Sequence, residues 1–171
     1  MHNYTLETPR LILRPLSVND AEAVFVWCGD PIVNRFMPYD LYTNAEDARK
    51  WIESLEDEGE ERTFGIVRKE DGLLIGSCGI GPEEDSPCWN FGYNLRADCW
   101  NKGYATEAAQ ALIDFARREF GAKDFAAQHA SANPASGRVM EKCGLHFVRD
   151  TEYSTFDSSE TFPARRYEMH I

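Results

Sequence analysis

Residues 100–107, with the sequence WNKGYATE, are the part of the chain best suited to holding a phosphate group. They lie between a predicted strand that ends near Leu95 and a predicted helix with apolar residues every three or four positions. A glycine-containing turn just before a helix lets successive main-chain N–H groups point together at an anion. Gly103 lets the backbone approach that anion, and Lys102 and Thr106 can add a positive charge and a hydroxyl donor. An ordinary helix start is the alternative that a single glycine leaves open.

A second segment, residues 133–147 with the sequence NPASGRVMEKCGLHF, follows the next predicted strand. Asn133 stands where that strand ends, so its side-chain amide is placed to pair with amide groups of an elongated ligand. Ser136 is predicted to cap the helix that follows. Taken alone, each of these two residues also fits a purely structural role.

The apolar pattern around these segments predicts the elements that must position them. Strands are predicted at residues 11–16, 63–68, 73–80, 89–95, 125–130, 146–153 and 165–171. Helices are predicted from a cap at Ser17, from a capping box with Thr43 at its start, over residues 105–120 and over residues 136–143. The order of elements predicts one α/β domain over residues 1–171, with a mixed, mainly antiparallel sheet.

The composition is that of a globular protein, with 171 residues, 43% hydrophobic and 27% charged. No window reaches the roughly 18 unbroken apolar residues that a membrane span needs, and the first residues lack an export signal. We therefore expect a cytoplasmic protein. The five cysteines are scattered and form no C-x-x-C pair, which argues against a disulfide framework and against a metal site.

The charge is negative and unevenly distributed. A net charge of −11 disfavours nucleic acid or an anionic membrane as the main partner. Residues 1–85 carry 8 basic and 18 acidic residues, whereas residues 86–171 carry 10 basic and 11 acidic ones. We therefore expect an anionic ligand to bind to the second half of the chain.

Three segments in this order resemble the GNAT superfamily of acyl-CoA-dependent N-acetyltransferases, and within it the RimJ/RimL-like branch. They are residues 8–14 (TPRLILR), residues 100–108 and residues 133–147. The resemblance implies a twisted sheet in which two central, locally parallel strands splay apart and leave a slot for the pantetheine arm of acetyl-CoA. It also implies that acetyl-CoA serves as co-substrate and that no metal is needed.

The resemblance further implies binding roles for particular residues. The backbone of Leu95 and the side chain of Asn133 would contact the pantetheine arm. Trp100 departs from the Gln or Arg with which the superfamily loop often begins, so the pyrophosphate would depend on backbone groups and Lys102. The residues implied to hold the pyrophosphate are Asn101, Lys102, Gly103, Tyr104, Ala105 and Thr106.

The implied reaction is direct transfer of acetyl from the thioester to a neutral amine, through a tetrahedral intermediate that expels the CoA thiolate. Many superfamily members use a tyrosine near the closing helix as the acid, but residues 133–147 contain none. Ser136 is therefore expected to act as the acid or as a hydrogen-bond donor to the thiolate, with a helix cap as its alternative role. The base is open between Tyr93, His129, Glu107 and a chain of waters.

The acceptor is expected to be a protein or peptide N-terminal amine. An acidic run from Glu53 to Glu61 would attract a cationic acceptor; the alternative is a solvated helix end that only aids solubility. A small amine such as a polyamine or aminoglycoside, and a non-catalytic acyl-CoA sensor, are alternatives. A nucleotide-binding protein is disfavoured because no G-x-G-x-x-G opens a helix. The resemblance also raises the expectation of a homodimer.

Overall fold

The computed structural model describes residues 2–55 and 59–171 and organises them around one eight-stranded sheet. The strands are β1 (Leu6–Glu7), β2 (Leu11–Arg14), β3 (Arg62–Arg68), β4 (Leu73–Pro82), β5 (Cys88–Leu95), β6 (Asp124–Ala130), β7 (His146–Ser154) and β8 (Thr161–His170). The helices are α1 (Ala21–Cys28), α2 (Pro31–Asn34), α3 (Ala45–Ser54), α4 (Tyr104–Phe120) and α5 (Pro134–Lys142).

The strands follow the order β1-β2-β3-β4-β5-β6-β8-β7 across the sheet. Every neighbouring pair is antiparallel except β5 with β6. The predicted mixed, mainly antiparallel sheet with flanking helices is therefore confirmed.

Helices cover both faces of the sheet because each buries one apolar stripe. In α4 the buried residues recur every three or four positions, as at Ala109, Leu112 and Ala116, and they join the larger core over β2 to β5. Helix α5 lies beside α4 and packs on β6. Helices α1 and α3 form a second core on the other face, around Trp27 and Ile52.

The starts of two helices differ from the prediction, and two short elements were not predicted. Helix α3 is capped by Asn44, whose side chain accepts hydrogen bonds from two main-chain N–H groups, whereas Thr43 donates to Asp47 one turn later. A 3₁₀ turn precedes α1, so the predicted cap Ser17 lies one short turn further from it. Strand β1 and helix α2 were not predicted, because two and four residues are too short to show a period.

The central parallel pair separates soon after it forms. Strands β5 and β6 pair over residues 88–90 and 124–126. Beyond that point β5 stays paired with β4 and β6 stays paired with β8, so a gap opens between residues 91–95 and residues 127–130. This gap is the splay that the resemblance implies, and it leaves backbone groups of two central strands facing open space.

An ion cluster ties the two halves of the sheet together at the closed end of this gap. Arg166 of β8 donates two hydrogen bonds to Glu83, at 2.8 and 2.9 Å, and one to Glu168 at 2.6 Å. Glu83 also accepts hydrogen bonds from Asn90 of β5 and from Ser86. Glu83, between β4 and β5, is thereby linked to β8 across β6.

We predict that Glu83→Gln lowers the free energy of unfolding by about 1–3 kcal/mol at pH 7, because it leaves Arg166 with one carboxylate partner. Arg166 and the other donors lower the pKa of Glu83 from 4.5 to about 2. The stabilisation is therefore fully present above pH 4.5 and is lost as the pH falls toward 2. Urea unfolding of both proteins between pH 7 and pH 2 checks this.

The matched control is Glu7→Gln, since Glu7 forms an exposed ion pair with Lys69 and is expected to leave the unfolding midpoint unchanged. A difference between wild type and Glu83→Gln that stays constant down to pH 2 would contradict the role given to the charge of Glu83.

Candidate active site

The backbone of β5 offers hydrogen-bonding groups to the gap. The N–H of Arg96 donates to Ile75 of β4. The backbone N–H and C=O groups of successive residues in a strand point to opposite neighbours. The groups of Leu95 and Tyr93 therefore face away from β4, toward the gap. The indole N–H of Trp100 donates to the Leu95 carbonyl at 3.0 Å, which leaves the Leu95 N–H facing the gap. The prediction that the Leu95 backbone faces the slot thus has a geometric basis.

The loop before α4 has the backbone shape of an anion cradle. Asn101 and Gly103 both adopt positive φ angles, 60° and 81°. Gly103 is the N-cap and brings no side chain, so the N–H groups of the first helical turn are left for another partner. No acceptor is found for the N–H groups of residues 104–106 within the described parts of the chain. Such a turn favours binding of a phosphate.

The predicted phosphate ligands differ in what they can contribute. Asn101 and Lys102 are exposed, so their side chains can reach an anion. Ala105 and Thr106 are half-buried at the start of α4. Tyr104 is buried in the core, so it contributes its backbone rather than its phenol.

Arg10 braces this cradle, a role that the sequence did not reveal. Its guanidinium donates to the Lys102 carbonyl at 2.8 Å and to Glu107 at 2.9 Å, and its main-chain N–H also donates to Glu107. The guanidinium carbon lies 4.5 Å from the centre of the Tyr104 ring. A Cβ added at Gly103 would stand 3.1 Å from Arg10. With both oxygens held by Arg10, Glu107 stabilises the start of α4 and is not positioned as a base.

Ser136 lies inside α5 and does not cap it, which corrects the sequence prediction. Pro134 occupies the first helical position, where its fixed φ angle favours a helix start, and Asn133 is the N-cap residue. Ser136 is therefore the third residue of the helix. The Asn133 side chain makes no capping hydrogen bond, so its amide is available to a ligand.

Ser136 meets Tyr93 across the gap. The Tyr93 hydroxyl donates to the Ser136 carbonyl at 3.0 Å and lies 2.8 Å from Ser136 Oγ. Burial raises the pKa of Tyr93. The phenol therefore stays protonated near neutral pH, which argues against Tyr93 as the base. The contact fixes the Ser136 hydroxyl at the edge of the gap.

His129, the other candidate base, is packed beneath α5. Its side chain is buried, and Nδ1 lies 2.7 Å from the Ala130 carbonyl, which can only accept a hydrogen bond. Nε2 faces Gly137, where a Cβ would come within 2.6 Å. This arrangement fits a structural role. It also explains why α5 has a glycine at position 137, since any side chain there would displace the imidazole.

Helices α4 and α5 approach each other near the cradle. The thiol of Cys143, the C-cap residue of α5, lies 3.9 Å from the Thr106 carbonyl on α4. Cys143 keeps a helical backbone conformation and stands seven residues after Ser136, so the two residues share a face. This face runs from the cradle to Tyr93 and forms one wall of the gap.

The other face of the gap carries neutral polar groups. Phe91 and Leu95 point into the core beneath α4, so Asn90, Gly92 and Asn94 lie on the opposite face. Gln128 of β6 is paired with Arg166 and shares that face. The Asn94 side chain donates to the Tyr39 hydroxyl.

The ions of β7 and β8 on this second face pair with one another and with Glu83. Arg149 and Arg166 are paired with Glu83 and Glu168. The acidic run predicted to attract a cation lies only partly within the residues that the structure describes. Glu56, Asp57 and Glu58 fall outside the described residues, and Glu53 pairs with Arg49. Glu60 and Glu61 are exposed, and Glu61 lies against Gly81, which pairs with Asn90 on this face.

Comparison with known proteins identifies the family. The sequence model of the acetyltransferase (GNAT) domain family matches residues 10–146 of this chain, which include the cradle and α5. The chain belongs to the GNAT acetyltransferase family. The predictions of this superfamily and of an acetyl-CoA-dependent acetyltransferase are thereby confirmed. The RimJ/RimL-like branch is a finer prediction that family membership does not decide.

Relatives and solved structures agree with this assignment. The chain is 36% identical over 115 residues to the uncharacterized N-acetyltransferase p20 of Bacillus licheniformis, and this match covers 65% of each chain, just under two thirds of p20. A GNAT-family acetyltransferase from Bacillus anthracis has a TM-score of 0.84, with 24% identity and 98% of both chains covered.

Two Vibrio cholerae structures share the fold and differ in acceptor. A putative ribosomal-protein-serine acetyltransferase has a TM-score of 0.83, with 18% identity and 98% of both chains covered. A spermidine N-acetyltransferase, solved with CoA and spermine, has a TM-score of 0.79, with 15% identity, covering 95% of this chain and 96% of the other. At these identities the likeness establishes the fold alone. None of the described helices has the length and apolar composition needed to cross a bilayer.

We predict that Arg10→Ala weakens acetyl-CoA binding by about tenfold, because the cradle loses the hydrogen bonds that hold its shape. Isothermal titration calorimetry with acetyl-CoA measures the effect. Arg14→Ala is the matched control, since Arg14 lies on β2, four residues after Arg10, but pairs with Asp20. Equal loss of affinity in both variants would contradict a specific role for Arg10.

Proposed function

We propose that this protein transfers the acetyl group of acetyl-CoA to a primary amine at the N-terminus of a protein or peptide. The observation that carries the proposal is the gap between β5 and β6, with a phosphate cradle at one end and a tyrosine-anchored serine at its edge. A long, anionic thioester fits this arrangement along its whole length.

Binding of acetyl-CoA is proposed to begin at the cradle. The main-chain N–H groups of residues 103–106 and the side chains of Asn101 and Lys102 hold the pyrophosphate. The Leu95 backbone and the Asn133 amide hold the pantetheine amides. The cradle lies in the half of the chain with 10 basic and 11 acidic residues, which favours a polyanion more than the acidic first half does.

The chemistry then requires a neutral amine to attack the thioester carbonyl carbon. The C–N bond forms, the C–S bond breaks, the electron pair leaves on sulfur, and the amine releases its extra proton to solvent. Ser136 stabilises the departing thiolate by donating a hydrogen bond, while the Tyr93 hydroxyl, 2.8 Å from Ser136 Oγ, holds the serine in place. Since Tyr93 resists ionisation, this pair suits hydrogen bonding to sulfur better than complete proton transfer through the pair.

The acceptor face supports a peptide amine over a polyamine. A polyamine needs unpaired carboxylates, but the carboxylate nearest to Gln128 and Arg166, that of Glu83, is held by Arg166, Asn90 and Ser86. Amide side chains such as Asn94 and Gln128 instead match the amide groups of a peptide. The spermidine enzyme of Vibrio cholerae shows by its name that the same fold also serves polyamines.

The direct test is thiol release from acetyl-CoA with defined amines. We expect acetyl-CoA to bind in calorimetry, and we expect an alanine tripeptide amide to be acetylated with a higher kcat/KM than spermidine. Mass spectrometry locates the acetyl group on the product. Preference for spermidine would assign the polyamine alternative, and binding of acetyl-CoA without transfer to any amine would favour a sensor.

Ser136→Ala is expected to lower kcat roughly a hundredfold, as loss of a hydrogen bond to the developing charge does, with little change in acetyl-CoA affinity. Tyr93→Phe should lower kcat by a smaller factor, because the serine remains but loses its anchor. Steady-state kinetics with calorimetry separate the two effects. Ser131→Ala, on the exposed turn before α5, is the control. Unchanged turnover in folded Ser136→Ala would remove Ser136 from the mechanism.

A further inference from the structure

Two residues near the centre of the sheet are exposed. They are Gly92 of β5 and Gln128 of β6, each the exposed position within its strand. Both lie on the face away from α4 and α5. Extending the register of Asn90 with Ala126 by two residues places Gly92 opposite Gln128 across the gap. We call these two residues and the open space over them the window.

Two structural reasons usually require a glycine, a positive φ angle and a close neighbouring atom, and neither applies at Gly92. Its φ angle is outside the left-handed region, so any residue can adopt its conformation. A Cβ at this position would meet no atom within 4 Å. Gly76 contrasts with it, because a Cβ there would collide with the Asn94 carbonyl of β5. Glycine inside a strand lowers the stability of the fold by about 0.5–1 kcal/mol relative to alanine. The stability of the fold therefore does not explain why position 92 lacks a side chain.

A fixed frame surrounds the window. On one side, the loop after α2 is held by the Tyr153 hydroxyl, which donates to the Phe36 carbonyl at 2.6 Å, and by the Phe156 N–H, which donates to the Pro38 carbonyl at 2.8 Å. The same loop reaches β5 through Tyr39 and Asn94. On the other side stands the cluster of Glu83 and Arg166.

The frame limits how the window can adapt to its occupant. Neither the loop nor the ion cluster can move without losing hydrogen bonds. A side chain at position 92 would therefore reduce the free volume directly.

We propose that Gly92 sets the size of the acceptor and that the Gln128 amide contacts it beside the reacting amine. This inference rests on the proposed function and adds the residues that select its acceptor. The window lies on the opposite face from the α5 wall, so the amine and the cofactor approach the gap from different sides. A branched side chain at position 92 would fill the path of the amine and leave the cradle untouched.

The test is a graded series of Gly92→Ala, Gly92→Val and Gly92→Phe. The probes are glycinamide as a narrow amine and an alanine tripeptide amide as a wide one. We expect Gly92→Val to lower kcat/KM for the tripeptide amide by about 10–200-fold, the effect of a steric change of this size in a binding pocket. The loss should be smaller for glycinamide and should grow from Ala to Phe.

Two further measurements distinguish a size gate from a folding defect. Calorimetry should give the same acetyl-CoA affinity for the wild type and the series. The thermal midpoint should stay equal or rise, because a strand glycine is being replaced.

The contribution of Gln128 is tested separately. Gln128→Ala should raise KM for the tripeptide amide by roughly fivefold to tenfold through one lost hydrogen bond. Gln110→Ala, an exposed glutamine on α4, is the matched control and should not change KM.

The outcomes separate this inference from the function on which it rests. If the wild-type protein binds acetyl-CoA but acetylates neither probe, the proposed function is overturned. Suppose instead that the wild type acetylates both probes and that Gly92→Val and Gly92→Phe retain its kcat/KM for each. The proposed role of Gly92 is then overturned, while the proposed function stands. A fall in acetyl-CoA affinity equal to the fall in kcat/KM would also overturn that role, because the substitution would then act on the cradle.

Discussion

The unpaired backbone between β5 and β6 is the constraint on which this structure depends. Buried peptide groups in a central strand normally find a partner in the next strand, and leaving them without one is unfavourable. Here the parallel ladder stops after residues 88–90 and 124–126. The N–H of Leu95 therefore faces a space that an extended, amide-containing ligand can occupy. Pantetheine has that chemistry, which is why we propose the gap in the sheet as its binding site.

A split sheet needs other interactions to keep its halves in register. Two contacts serve this purpose, and they lie at different positions along the gap. The ion cluster of Glu83 and Arg166 joins the halves at the closed end, on the acceptor face. The hydrogen bonds of Tyr93 with Ser136 join them further along, on the face of α5. The second contact belongs to the proposed catalytic apparatus, so the stability of the split and the placement of the hydroxyl are coupled.

Local patterns in the sequence predicted most of the fold and part of the site. The strand, glycine turn and helix around Gly103 are contiguous, and so the cradle could be predicted. The cap assigned to Ser136 was wrong because Pro134 starts α5 two residues earlier, a choice between two neighbouring starts that spacing alone does not decide. Contacts between distant residues were not accessible, since Arg10 meets Glu107 across 97 positions and Tyr93 meets Ser136 across 43. No periodicity reports which residues such a fold brings together.

The two faces of the gap differ in charge in a way that fits two different substrates. The cradle face offers unpaired N–H groups and Lys102, which suit a polyanion. Beside β6 and β8 the acceptor face presents paired ions and neutral amides. An amine must be uncharged to attack a thioester, and a face with free carboxylates would instead favour its protonated form. Where its ions are paired, this face leaves an N-terminal amine, whose pKa of about 7.7–8.0 is already low among amines, close to its reactive state.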